Sequence, residues 1–146
     1  MGLENSLRQR HGSLVGILNG VDYTVWSPGR DRLLPQTYTA RTLEAKLKNK
    51  AALQRAFGLP LEVDLPLFGH VGRLVEQKGI DLVLEILPEL MQRGAQLVVL
   101  GSGDSALEAG LRMARRQHPR QIGLHIGNRL IEDLGRILHG SHGRIG

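Results

Sequence analysis

At 146 residues, with 41% apolar and 23% charged positions, the chain has the make-up of one globular unit or of a piece of a larger one. A formal charge of +5, from 19 basic against 14 acidic residues, favours anionic partners or a solvated basic surface. The absence of cysteine excludes a disulfide framework and thiolate chemistry, and no apolar run approaches the ~20 residues of a membrane helix. These features give the expectation of a cytoplasmic protein with no membrane partner.

The N-terminus has no apolar core of a signal peptide, and Met1-Gly2 with Ser6 reads as a chance match to an acylation site. Asn5 to Gln9 predicts the end of a helix, stopped by Gly12. Leu14 to Leu18 predicts a short buried strand, and Asn19-Gly20 is a turn signal. A chain that opens so nearly on a strand looks cut from something longer. Trp26-Ser27-Pro28-Gly29 and Leu34-Pro35 mark a surface connection.

Thr42 is placed to cap a helix from Leu43 to Phe57, with Leu43, Leu47, Ala51 and Phe57 near one stripe and Gly58-Leu59-Pro60 as its stop. Leu65 to Val71 is dense and apolar without alternation, as in a strand covered on both faces. A helix follows from about Gly79 to Gln92, which Pro88 must kink or split. Gln96 to Leu100 predicts a second strand. Asp104 caps a helix to about Gln117, with Ala106, Leu107, Leu111 and Ala114 facing inward, and Ile122 to Ile126 predicts a third strand. A last helical piece runs from Leu130 to Leu138. Strands alternating with helices give an α/β class with a parallel sheet, here half-built and open-edged.

Two parallel strands joined by a helix place the loops after Val71 and Leu100 at one carboxyl edge, where open α/β sheets bind ligands. Arg73 and Lys78 bracket the first loop. A forked guanidinium and a compact ammonium there can both reach one diphosphate, although an Arg and a Lys five apart are also a common surface pattern. Gly101-Ser102-Gly103-Asp104-Ser105-Ala106 fits the G-x-G-x-x-G/A pattern, but positions 109 to 131 hold no Asp or Glu for a dinucleotide ribose. Its glycines serve either a close backbone approach to a ligand or a tight turn. Asn19 lies in a turn or faces a ligand. His70 reads as a satisfied core histidine in preference to a cleft residue. His139 and His142 are too isolated for a metal site, so neither a metal nor a cofactor is expected. Five scattered aromatics, Tyr23, Trp26, Tyr38, Phe57 and Phe68, give little base-stacking surface, so no nucleic acid is expected either.

These residues resemble a known family. Gly16 to Tyr23 followed by Trp26-Ser27-Pro28 is similar to the loop joining the two halves of bacterial glycogen synthases and plant starch synthases. Lys46 to Gln54 resembles the helix after that loop. Gly72-Arg73-Leu74 with Gln77 to Leu82 is similar to the donor-phosphate motif, and Gly101 to Asp104 to the glycine loop. Four motifs stand in order between about Leu14 and Gly127.

The resemblance implies a GT-B fold of two facing Rossmann-like domains, and a retaining transfer of glucose from ADP-glucose to the non-reducing end of an α-1,4-glucan. It implies that Arg73 and Lys78 are catalytic, binding the diphosphate and stabilising departing ADP. Gly101, Ser102, Gly103 and Asp104 would lie against the nucleotide, and Asn19 would face the cleft. Residues 1–22 would end the acceptor-side domain. Residues 23–62 would be the linker and covering helix, and 63–146 a partial nucleotide-sugar domain, the first half of the C-terminal one.

Several family features do not occur in this sequence: the lysine-and-glycine donor loop, most of the acceptor domain, and the Glu-Pro-Cys-Gly segment. Asn128 to Gly135 departs from the family, Arg136 to Ser141 returns to it, and His142 stands where an Asp is expected. The expectation is therefore an internal fragment, inactive alone, of an enzyme whose partners are ADP-glucose and α-glucan. The alternatives are a UDP- or GDP-sugar transferase of the same fold, or a non-catalytic nucleotide- or polyanion-binding module.

Overall fold

A computed structural model describes residues 3–24 and 26–127. Helix α1 spans Glu4–Gln9 and α2 Lys46–Ala56; then come β1 (Leu67–Val71), α3 (Ile80–Gln92), β2 (Gln96–Gly101), α4 (Ser105–Gln117) and β3 (Ile122–Ile126). The strands form one parallel sheet in the order β1-β2-β3, with Leu67 opposite Gln96 and Leu97 opposite Ile122. The expected α/β class and its three strands are therefore present. The expected helix at Leu130 to Leu138, the departures after Gly127, the two late histidines and Met1-Gly2 lie outside the described residues.

Alternation along the strands sorts their side chains between two layers. Leu97, Val99 and Ile122 pack with Ile80, Leu87 and Met91 of α3, Leu111 and Ala114 of α4, and Leu74 of the intervening loop. On the opposite face Gln96 is 1% exposed and its side chain meets Gln54 of α2, whose Nε2 donates to Gln96 Oε1 at 2.7 Å. Gln54 Nε2 also reaches the Glu62 carbonyl and Gln96 Nε2 the Pro60 carbonyl, so two buried amides are satisfied by one network. Phe57 lies over Gly123, where an added Cβ would come within 2.6 Å of the Phe57 Cβ.

Helix ends follow their local chemistry. After α2, Gly58 adopts φ +68°, Leu59 N–H donates to the Gln54 carbonyl and Gly58 N–H to that of Arg55. After α3 the same pair of bonds runs from Ala95 to Leu90 and from Gly94 to Met91, with Gly94 at φ +79°. Both are glycine stops that satisfy the last carbonyls. Asp104 caps α4 as expected, its Oδ1 accepting from Ala106 N at 2.8 Å and Leu107 N at 3.2 Å.

Six expectations are corrected. Leu14 to Leu18 forms no strand: Val15, Ile17 and Leu18 are strongly exposed, because no neighbouring strand among the described residues offers a ladder. The turn falls after Asn19-Gly20, where Asp22 Oδ1 accepts from Thr24 N and the Asp22 carbonyl from Trp26 N. Thr42 does not cap the helix it precedes, since its hydroxyl accepts from Thr39 N while a 3₁₀ turn, Leu43–Ala45, leads into α2. Of the two effects expected of Pro88, the split of α3 does not occur. Pro88 lies on the exposed side of a continuous helix, where water can take the carbonyl it leaves unpaired. Ala106 is exposed, not inward. Finally, β1 is not covered on both faces, because Phe68 and Val71 are about half exposed, whereas all six residues of central β2 are buried.

The stripe on α2 also differs from expectation. Leu43 and Leu47 are exposed, and with Leu34, Leu53 and Leu67 they line an open apolar groove of about 410 Å³.

Candidate functional site

At the carboxyl edge the ladder does not stop with the strands. Gly72 N–H donates to the Leu100 carbonyl at 3.0 Å, and Leu74 N–H to that of Ser102 at 3.0 Å. Asp104 N–H returns to the Leu74 carbonyl at 2.8 Å, and Leu74 pairs with Gly103 as an isolated parallel bridge. The two loops are thus zipped backbone to backbone. A Cβ on Gly101 would fall 1.9 Å from the Gly72 oxygen, and one on Gly103 2.2 Å from the Leu74 oxygen. The glycines are required by this loop-on-loop contact, a third use beside the two expected from sequence.

Leu74 is fully buried, and it anchors the chain between Gly72 and the 3₁₀ turn Glu76–Lys78. Alternation about that anchor leaves Arg73 exposed, and the short turn presents Lys78 just ahead of α3. Among the described residues neither side chain makes a hydrogen bond or ion pair. Gly79, at φ +70°, opens α3, and no side chain caps that helix. Two unneutralised cations therefore stand beside an uncapped helix N-terminus, an arrangement suited to a phosphate group.

The start of α4 is different. Asp104 takes the N–H groups of Ala106 and Leu107, and Glu108 Oε1 accepts from Gly103 N at 3.0 Å. Those donors are already used by carboxylates, whereas no side chain accepts from the start of α3. Glu108 was not singled out from sequence; the signal is an acid one turn into a helix capped by Asp104.

His70 corrects the reading of a satisfied core histidine. Its Nε2 is buried without a hydrogen-bond partner, and its ring lies close to Gly72. Burial pushes its pKa below the ordinary 6.5; a backbone hydrogen bond with Arg73 opposes the shift, and the nearby Lys78 charge adds to it. The imidazole is thus a neutral group packed beneath the Arg73 loop.

The structure brings Arg73, Lys78 and Gly101 to Asp104 to one edge. Asn19 is not tied to them: it lies in an exposed irregular stretch with no hydrogen bond to that edge among the described residues. No group of three or more potential metal ligands gathers among the described residues, and no helix there is long and apolar enough to cross a membrane.

No family model matches the chain. It is 49% identical over 138 residues to a glycogen synthase of Rhodopseudomonas palustris (strain BisA53), covering 94% of this chain and 28% of that protein. Over this stretch the chain is similar to the glycogen synthases. Its fold agrees. The catalytic domain of starch synthase IV from Arabidopsis thaliana, solved bound to ADP and acarbose, superposes with a TM-score of 0.71 at 28% identity. That match covers 93% of this chain and 29% of the solved one, so the chain spans less than a third of either relative's length.

Proposed function

We propose that this chain supplies the donor-diphosphate side of a retaining GT-B glucosyltransferase, which moves glucose from ADP-glucose to the non-reducing end of an α-1,4-glucan. The observation that carries the reading is the pair Arg73 and Lys78, exposed and unneutralised beside the uncapped start of α3, in a chain 49% identical to a glycogen synthase. When the glycosidic bond to the donor breaks, negative charge grows on the departing diphosphate. Fixed cations at that point stabilise the transition state more than the ground state. Arg73 can hold two phosphate oxygens through its fork while Lys78 acts as a point charge. Gly101 to Asp104 would form the wall against the nucleotide, and Asn19 would reach the cleft from the acceptor side.

In this reading residues 1–22 close the acceptor-side domain, 23–62 connect and cover, and 63–146 belong to the nucleotide-sugar domain. The setting is cytoplasmic. The isolated chain makes no glucan, because the stretch shared with the relatives is 28% of the synthase. Calorimetry on the 146-residue chain tests the proposal. ADP should bind, and Arg73→Ala with Lys78→Ala should abolish the binding. Binding of a nucleic-acid oligomer that weakens steeply with salt, with none of ADP, would replace it by a polyanion-binding module.

A further inference from the structure

Glu108 belongs to none of the four motifs, yet its carboxylate lies between the α4 surface and the glycine loop. Its side chain is only 20% exposed. Oε1 accepts the Gly103 N–H at 3.0 Å, and Oε2 faces Arg112 Nη2 at 3.5 Å one turn further along the helix. Helix capping does not call for this bond, because Asp104 already satisfies Ala106 and Leu107. Glu108 instead reaches back past the cap to hold a residue that precedes it.

The held residue is in backbone contact with the neighbouring loop. Gly103 bridges Leu74, and the 2.2 Å separation between a hypothetical Gly103 Cβ and the Leu74 oxygen leaves no slack between them. Leu74 is covalently next to Arg73, and its own amide and carbonyl are both committed to the glycine loop, through Ser102 and Asp104. Displacing Gly103 therefore displaces Leu74, and with it the Cα from which the Arg73 side chain extends. Arg73 has no side-chain partner of its own among the described residues. Its placement comes through the backbone.

We propose that Glu108 is a positioning residue for Arg73: oriented by Arg112, it clamps the Gly103 amide and so sets the loop that carries the diphosphate-binding guanidinium. This rests on the proposed function for its ligand, and on geometry alone for the clamp. Side chains that touch the ligand directly would act independently of Arg73, whereas a positioning residue acts only while Arg73 is there to be positioned.

The test uses the full 146-residue chain, with ADP affinity by calorimetry and amide hydrogen exchange at Gly103 and Leu74 by NMR. Glu108→Ala should speed exchange at both amides and weaken ADP binding about ten-fold, the scale of losing a charge-assisted hydrogen bond. Glu108→Gln keeps an oxygen that can accept from Gly103 and should stay within about three-fold of the parent. In an Arg73→Ala background Glu108→Ala should cost no further affinity, since coupled sites are not additive. An additive loss in that background would overturn the positioning role. Unchanged exchange at Gly103 and Leu74 in Glu108→Ala would overturn the clamp, even if the parent chain bound no ADP. Absence of ADP binding in the parent, with exchange responding as stated, would overturn the donor reading and leave the clamp standing.

Discussion

Replacing Gly103 by alanine tests the loop-on-loop contact directly. The new Cβ would lie 2.2 Å from the Leu74 oxygen, 2.7 Å from its carbonyl carbon and 2.9 Å from its nitrogen, all backbone atoms that no rotamer change can move aside. To make room the loops must separate, which breaks the Leu74-to-Ser102 and Asp104-to-Leu74 hydrogen bonds at 3.0 and 2.8 Å. Two such bonds contribute about 1–3 kcal/mol together. Forcing extra volume against a fully buried residue such as Leu74 costs about 1–3 kcal/mol more. The alanine returns about 0.4–1 kcal/mol by restricting the unfolded chain. The net loss is about 2–5 kcal/mol, a large part of the about 5–15 kcal/mol typical of a domain. Urea unfolding followed by circular dichroism should show the midpoint falling by about 1–2.5 M at a slope of about 2 kcal/mol/M. Gly20→Ala is the internal control: nothing lies within 4 Å of its Cβ position, and its midpoint should hold. If both variants shifted equally, the glycine at 103 would not be explained by the contact with Leu74.

Further outcomes follow from the same geometry. In an intact synthase carrying this segment, Arg73→Ala and Lys78→Ala should each lower turnover by several hundred-fold, within the ~10²–10³ range for a lost charge-stabilising donor. Stability should change by less than about 0.5 kcal/mol, because both residues are exposed; unchanged kinetics would remove their roles. Asp104→Ala should lower stability by about 0.5–2 kcal/mol through loss of the α4 cap, read from the urea midpoint, with Asp104→Asn recovering most of it. His70 should make folding pH-dependent. Its pKa is lowered in the folded chain below 6.5, so as pH falls below that value the unfolded chain binds the proton first and stability drops. His70→Phe should flatten the urea-midpoint profile between about pH 7 and 5 relative to the parent; parallel profiles would show that the buried ring plays no part.

Much of this protein is set by local chemistry that one strand of sequence carries. The strand at Gln96 to Leu100 was legible from its apolar run Leu97 to Leu100, because a strand with neighbours on both sides favours apolar residues whichever way they point, and all six residues of β2 are buried. Two of the three expected helix ends were legible too, the Thr42 cap being the exception. Asp104 and Gly58 answer to the orphan amides and carbonyls of their own helices, within five residues. The alternation of strands and helices was enough to place the loops after Val71 and Leu100 at one carboxyl edge, and four motifs in order carried the resemblance to glycogen and starch synthases.

What the sequence could not decide depends on partners far along the chain. Leu14 to Leu18 has the composition of a strand but gains nothing from it without a neighbour to complete its hydrogen bonds. The reason for Gly101 and Gly103 lies some 30 residues back, in the oxygens of Gly72 and Leu74, and only the folded sheet brings those atoms within contact. The same holds for the buried Nε2 of His70 and for the reach of Glu108 to Gly103. Sequence periodicity reports which face is apolar. Which polar atom meets which is a property of tertiary distances, and at this site those distances fix where Arg73 stands.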